Sequence, residues 1–140
     1  MKMNLQDPYS QVANSLRRLM SEYKEHGKII VAYDFDGTVY DFHNEGHEFP
    51  RTVGLIQAVR PYAHLVVYTA SKEERFPFIK EYLETNNIPF DSINEIPKEL
   101  NVPQGGKMYY NILLDDRAGL GQALDILDYF VELIKEEATC

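Results

Sequence analysis

The chain is almost without cysteine: the single one, Cys140, is the last of its 140 residues. A disulfide scaffold is therefore excluded, and a reducing cytoplasmic setting is the simplest expectation. No apolar run reaches the roughly 18 residues that a membrane-spanning helix needs. The opening stretch MKMNLQDPYSQVANSLRRLM lacks the apolar centre of a signal peptide. Basic residues are also few, 14 Lys and Arg against 22 Asp and Glu, for a net charge of -8. Tight non-specific binding to nucleic acid or to an anionic membrane is not expected, although a local basic pocket is compatible with that balance. Internal repeats, low-complexity tracts and linkers are absent.

What is present is ordinary globular composition: 44% hydrophobic residues, 26% charged residues, 10 tyrosines and 7 phenylalanines. The length suits one domain over 1–140. A chain of this size buries roughly 70% of its unfolded surface, enough for a core without staples.

Hydrophobic periodicity divides the chain. Residues 7–26 read as an amphipathic helix, with Tyr9, Val12, Leu16, Leu19, Met20 and Tyr23 on one face. Asp7 suits its cap, Pro8 its first position and Gly27 its stop. The period then changes. KIIVAY (28–33), HLVVYT (64–69), IPFDSI (88–93) and MYYNILL (108–114) read as short strands, the third an edge strand because of Pro89. Helical patterns around Val53–Val59, Phe76–Leu83 and Leu120–Ile134 separate and follow them. Alternating strands and helices predict an α/β fold: a three-layer Rossmann-like sandwich with a central parallel sheet. In such sheets ligands bind beyond the C-terminal strand ends, where strand order reverses.

Those ends carry the chemistry. Asp34, Asp36 and Gly37 follow the first strand, Thr69 ends the second, Lys107 precedes the fourth, and Asp115 and Asp116 follow it. Asp34 and Asp36, two apart on a strand, would point to the same side. Clustered carboxylates repel unless a cation lies between them. All-oxygen ligands, with no thiolate and no paired histidines, point to Mg²⁺, whose shell commonly includes a substrate phosphate. Lys107 and Thr69 suit a phosphoryl group, and Gly37 lets backbone approach it closely. An Asp can serve as nucleophile in phosphoryl transfer, and a second Asp nearby as acid and base.

The stretch VAYDFDGTVY resembles motif I of the haloacid dehalogenase (HAD) superfamily, a hydrophobic strand followed by DxDG(T/S). Thr69 in LVVYTAS resembles motif II, Lys107 the motif III lysine, and Asp115–Asp116 in YNILLDDRA the acidic pair of motif IV. The resemblance spans residues 28–135 and leaves the N-terminal helix (1–27) outside. It implies Asp34 as nucleophile and Asp36 as general acid and base, with the Asp36 carbonyl touching the metal. It also implies Thr69 and Lys107 on the phosphoryl group, and Asp115 and Asp116 on Mg²⁺. The segments between motifs leave no room for a sizeable cap domain, so a capless member is expected. An open site favours a large or polymeric phosphorylated substrate, such as a nucleotide or nucleic-acid end. A sugar phosphatase closed by a second copy of the chain is the alternative, and a non-catalytic HAD-like interaction protein the rival from another class. Transfer to an alcohol rather than water would use the same residues.

Several residues keep competing readings. Ser71 rivals Thr69, and Lys72 and Lys98 rival Lys107. His43 and His47, in the polar loop DFHNEGHEF, suit substrate contact better than zinc, which would need more ligands. Arg117 follows the acidic pair and could meet either those carboxylates or substrate.

Overall fold

The computed structural model describes residues 6–139, so Cys140 lies outside the described residues. Four parallel strands form one sheet: β1 (Ile29–Tyr33), β2 (Ala63–Val67), β3 (Ser92–Ile93) and β4 (Ile112–Leu114). Their spatial order is β3-β2-β1-β4, with all neighbours parallel. Helices α1 (Val12–His26), α2 (Pro50–Val59), α3 (Phe76–Thr85) and α4 (Leu120–Thr139) flank the sheet. The architecture is the expected three-layer α/β sandwich, with β1 central and its C-terminal end at the point where strand order reverses.

Burial explains the strand patterns. All five β1 residues are buried, as a parallel strand covered on both faces requires. Ile29, Val31 and Tyr33 join Leu65, Val67 and Leu114 in the main core, together with Leu127 and Phe130 of α4. Ile30, Ala32 and Val66 alternate to the other face and are buried there too.

Several boundaries differ from expectation; β2, for one, stops at Val67, two residues short of Thr69. The first helix begins at Val12, not Asp7: Asp7 takes a left-handed φ of 44°, makes no side-chain cap, and a 3-10 turn over Pro8–Ser10 comes first. Gly27 does end α1, with a left-handed φ of 79° and its N–H donated to the Tyr23 carbonyl. The third and fourth strands are shorter than their apolar runs, because side chains take over the ladder. Asp91 donates its N–H to the Leu65 carbonyl and accepts from the Leu65 N–H, both at 2.8 Å. Asn111 does the same to Ile30, at 2.9 and 2.6 Å. Asn94 bridges Val67 and Thr69 in this way at the other end of β3. A side-chain oxygen, carboxylate in Asp91 and amide in Asn94 and Asn111, here replaces a strand acceptor.

Candidate active site

The parallel register sets which acids meet. Tyr33 pairs with Leu114, and the Asp34 N–H extends the ladder to the Leu114 carbonyl at 2.9 Å. Asp34 and Asp115 are therefore the next residues in step, and in-register neighbours project to the same side. One carboxylate oxygen each from Asp34, Asp115 and Asp116 lies within 4.8 Å of the others. Asp34 and Asp115 are half-buried, and Asp116 is exposed.

Thr38, the last residue of the DFDGT run, ties this cluster together. It is fully buried. Its Oγ1 lies 3.3 Å from Asp34 Oδ2 and 3.2 Å from Asp116 Oδ1, and it accepts the Asp116 N–H at 3.1 Å. One hydroxyl proton serves only one carboxylate at a time. The remaining repulsion registers at Asp34, whose carboxyl is pushed up to about 7 by burial first, then by its hydrogen bond to Asp116 and the Asp115 charge.

Asp36 is not part of the cluster. Residues 34 and 36 would face the same side only on a strand, but β1 ends at Tyr33 and the chain turns around the Phe35 carbonyl, which accepts the N–H groups of Thr38, Val39 and Tyr40 at 3.3, 3.1 and 3.1 Å. The Asp36 carboxylate instead accepts a fork from Arg75, at 2.5 Å from Nη1 and 2.8 Å from Nη2. Nothing in the sequence distinguishes Arg75 from a surface arginine; only packing brings it here.

Gly37 adopts φ 80°, and a Cβ there would sit 2.8 Å from Asp116 Oδ2. Its N–H is donated to the Tyr40 carbonyl at 2.9 Å, so what it contributes is room for Asp116 rather than a free N–H for phosphate.

The acids open into a cavity of about 1210 Å³. Thr69, Lys72 and Arg117 border it, as do Phe42, His43 and Tyr68. Thr69 is held at the β2 end by Asn94, which accepts its N–H and donates to its carbonyl, both at 2.8 Å. Ser71 donates its N–H to Thr69 Oγ1 at 3.1 Å, while its own hydroxyl oxygen accepts from Arg75 at 2.8 Å. The loop carrying His43 is shaped by Asp41, whose carboxylate accepts the N–H groups of Glu45, Gly46 and His47. His43 reaches the cavity wall; His47 is exposed beside Glu45.

Lys107 does not line this cavity. It borders a second cavity of about 320 Å³ that shares the Tyr68 wall, with Nζ 5.7 Å from the Tyr110 ring centre. The irregular segment before β4 carries it there, whereas Lys72, on the turn leading to α3, lines the acidic cavity itself.

Asn94 offers a direct test of how Thr69 is placed. Asn94→Gly keeps its left-handed backbone (φ 55°) accessible and removes only the two side-chain bonds. The expected result is a loss of about 2 kcal/mol in urea unfolding, with the Thr69 amide exchanging hydrogen far faster than those of β1. Unchanged exchange at Thr69 would remove Asn94 from the site.

No family model and no curated protein matches the chain. Among solved structures it is similar to a conserved protein of Bacteroides thetaiotaomicron, 23% identical, with a TM-score of 0.57 over 79% of this chain and 92% of that one. At that identity the likeness bears on the fold alone, and the fold it supports is the α/β sandwich with a central parallel sheet.

Proposed function

We propose that this chain is a Mg²⁺-dependent phosphomonoester hydrolase acting through an aspartyl-phosphate on Asp34. The observation that carries the reading is the convergence of Asp34, Asp115 and Asp116 within 4.8 Å, at the strand ends where this architecture places ligands. The resemblance of VAYDFDGTVY and its companion segments to the HAD motifs supports the same assignment.

The donor set fits a hard cation: three carboxylates, with no thiolate or imidazole among them. Asp34, Asp115 and Asp116 would hold Mg²⁺, which when bound supplies the positive charge that offsets their repulsion and that of a phosphoryl group. The chain's own residues do the rest. An Asp34 oxygen attacks phosphorus while the bond to the ester oxygen breaks. Asp36 gives that leaving oxygen a proton. Water then attacks the phosphorus of the aspartyl-phosphate, Asp36 takes its proton, and inorganic phosphate leaves with Asp34 restored. The Thr69 hydroxyl and the Lys72 ammonium stabilise phosphoryl oxygens from the cavity wall.

The cavity mouth favours a nucleotide or a phosphorylated nucleic-acid end over a small sugar phosphate. Phe42 and Tyr68 line it while 52% and 39% exposed, and stacking on such rings is worth about 1–3 kcal/mol per base. Lys72 and Arg117 add local positive charge to a chain of net charge -8.

The test is hydrolysis of an aryl phosphate, then of nucleotides against sugar phosphates, in millimolar Mg²⁺ and in EDTA. Turnover should require the metal and be faster on nucleotides. An inert protein whose melting temperature ignores Mg²⁺ would sink the proposal, because a cation that binds only the folded state must stabilise it.

A further inference from the structure

We propose that Arg75 is the positioning residue for Asp36, fixing its carboxylate for proton transfer to the leaving group. This rests on the hydrolase reading above.

The geometry is a two-point clamp. Nη1 and Nη2 of Arg75 each meet a different oxygen of Asp36, at 2.5 and 2.8 Å. A bidentate fork fixes the carboxylate plane as well as its place. The two oxygens of a carboxyl group together offer about four positions, so the fork leaves one on each, where Asp36 can carry the proton it gives to the leaving oxygen and later takes from water. The arginine is itself restrained. Ser71 Oγ accepts from Nη1 at 2.8 Å, and the guanidinium carbon lies 5.4–5.7 Å from the ring centres of Phe35, Tyr40, Phe42 and Phe78. Phe35 stacks on Tyr40 at 4.9 Å and meets Phe78 edge-on at 6.3 Å. Phe35 also lies in sequence between Asp34 and Asp36. The box thus joins the turn after β1 to the start of α3, and holds Asp36 against the cavity wall at 28% side-chain exposure. Lysine cannot make that fork.

A displaced general acid matters most where the leaving group is poor. Arg75→Met is therefore compared with wild type on an alkyl phosphate, which needs a proton on departure, and on 4-nitrophenyl phosphate, which does not. Arg75→Met should lower kcat/KM, which reads the first transfer and not the later hydrolysis of the aspartyl-phosphate, about 10²-fold on the alkyl ester and less than about fivefold on the nitrophenyl ester. Arg75→Lys should recover little of the loss. In an Asp36→Asn background Arg75→Met should cost nothing further on either ester.

Equal losses of kcat/KM on the two esters, or full effect in the Asp36→Asn background, would each overturn the assignment. In those cases wild-type turnover and its loss in Asp34→Asn stay intact, so only the role of Arg75 falls. A wild type that is inert on both esters, or unaffected by Asp34→Asn, overturns the hydrolase reading and this proposal with it.

Discussion

Asp34→Asn should abolish turnover and at the same time make the metal-free protein more stable. The two effects have one cause. Asp34 supplies the attacking oxygen, and loss of a nucleophile costs at least about 10³-fold in rate. It also sits half-buried against two other carboxylates, which raises its carboxyl from 3.8 to about 7 through burial, the Asp116 hydrogen bond and the Asp115 charge. A group whose folded value lies above its unfolded one stabilises the fold at low pH. That stability is present in full below about pH 4, and is lost as pH rises toward about 7. At pH 8 the wild type therefore carries the whole repulsion, which asparagine removes while keeping an oxygen for Thr38. After discount for solvent screening, the gain is about 1 kcal/mol, or roughly 3 °C in melting temperature. Mg²⁺ should reverse the order: it raises the melting temperature of the wild type and raises that of Asp34→Asn much less. Thermal scans at pH 5 and pH 8, with and without Mg²⁺, read all of this. A variant that melts lower than wild type at pH 8 in EDTA would contradict the carboxylate repulsion.

Gly37→Ala should be the most damaging of the Gly→Ala changes, because only at Gly37 does the new methyl meet a neighbour. Position 37 has φ 80°, and the new Cβ would lie 2.8 Å from Asp116 Oδ2. A left-handed alanine costs about 1–2 kcal/mol, and overpacking adds about 1–3 kcal/mol. Asp116 is a short side chain held by Thr38 through both its carboxylate and its N–H, so it cannot yield cheaply. If it does yield, it leaves the cation cluster. The expected outcome is a melting temperature lower by roughly 10 °C and Mg²⁺ binding weakened at least about tenfold, read by calorimetry. Retained metal affinity in a folded Gly37→Ala would mean that Asp116 is not needed by the cation.

Much of the fold was legible along the chain because strands buried on both faces need unbroken apolar runs, and KIIVAY and HLVVYT provide them. Strand lengths were not legible. MYYNILL reads as seven strand residues, yet only Ile112–Leu114 form β4, because Asn111 serves Ile30 with a side-chain oxygen. Periodicity detects apolar spacing and is blind to such substitution.

The sequence by itself determined the alternation of elements, the parallel sheet, and the placing of Asp34, Thr69, Asp115 and Asp116 at strand ends. Each follows from local pattern and from a topology rule that needs no coordinates. Only the tertiary structure decided which acids share a site. Register joined Asp34 to Asp115 and Asp116, while the turn after Tyr33 sent Asp36 to Arg75. It also seated buried Thr38 between two carboxylates, and placed Lys72 on the acidic cavity and Lys107 on a neighbouring one. These outcomes turn on side-chain direction at chain reversals and on contacts between residues far apart in sequence, and no local pattern encodes either.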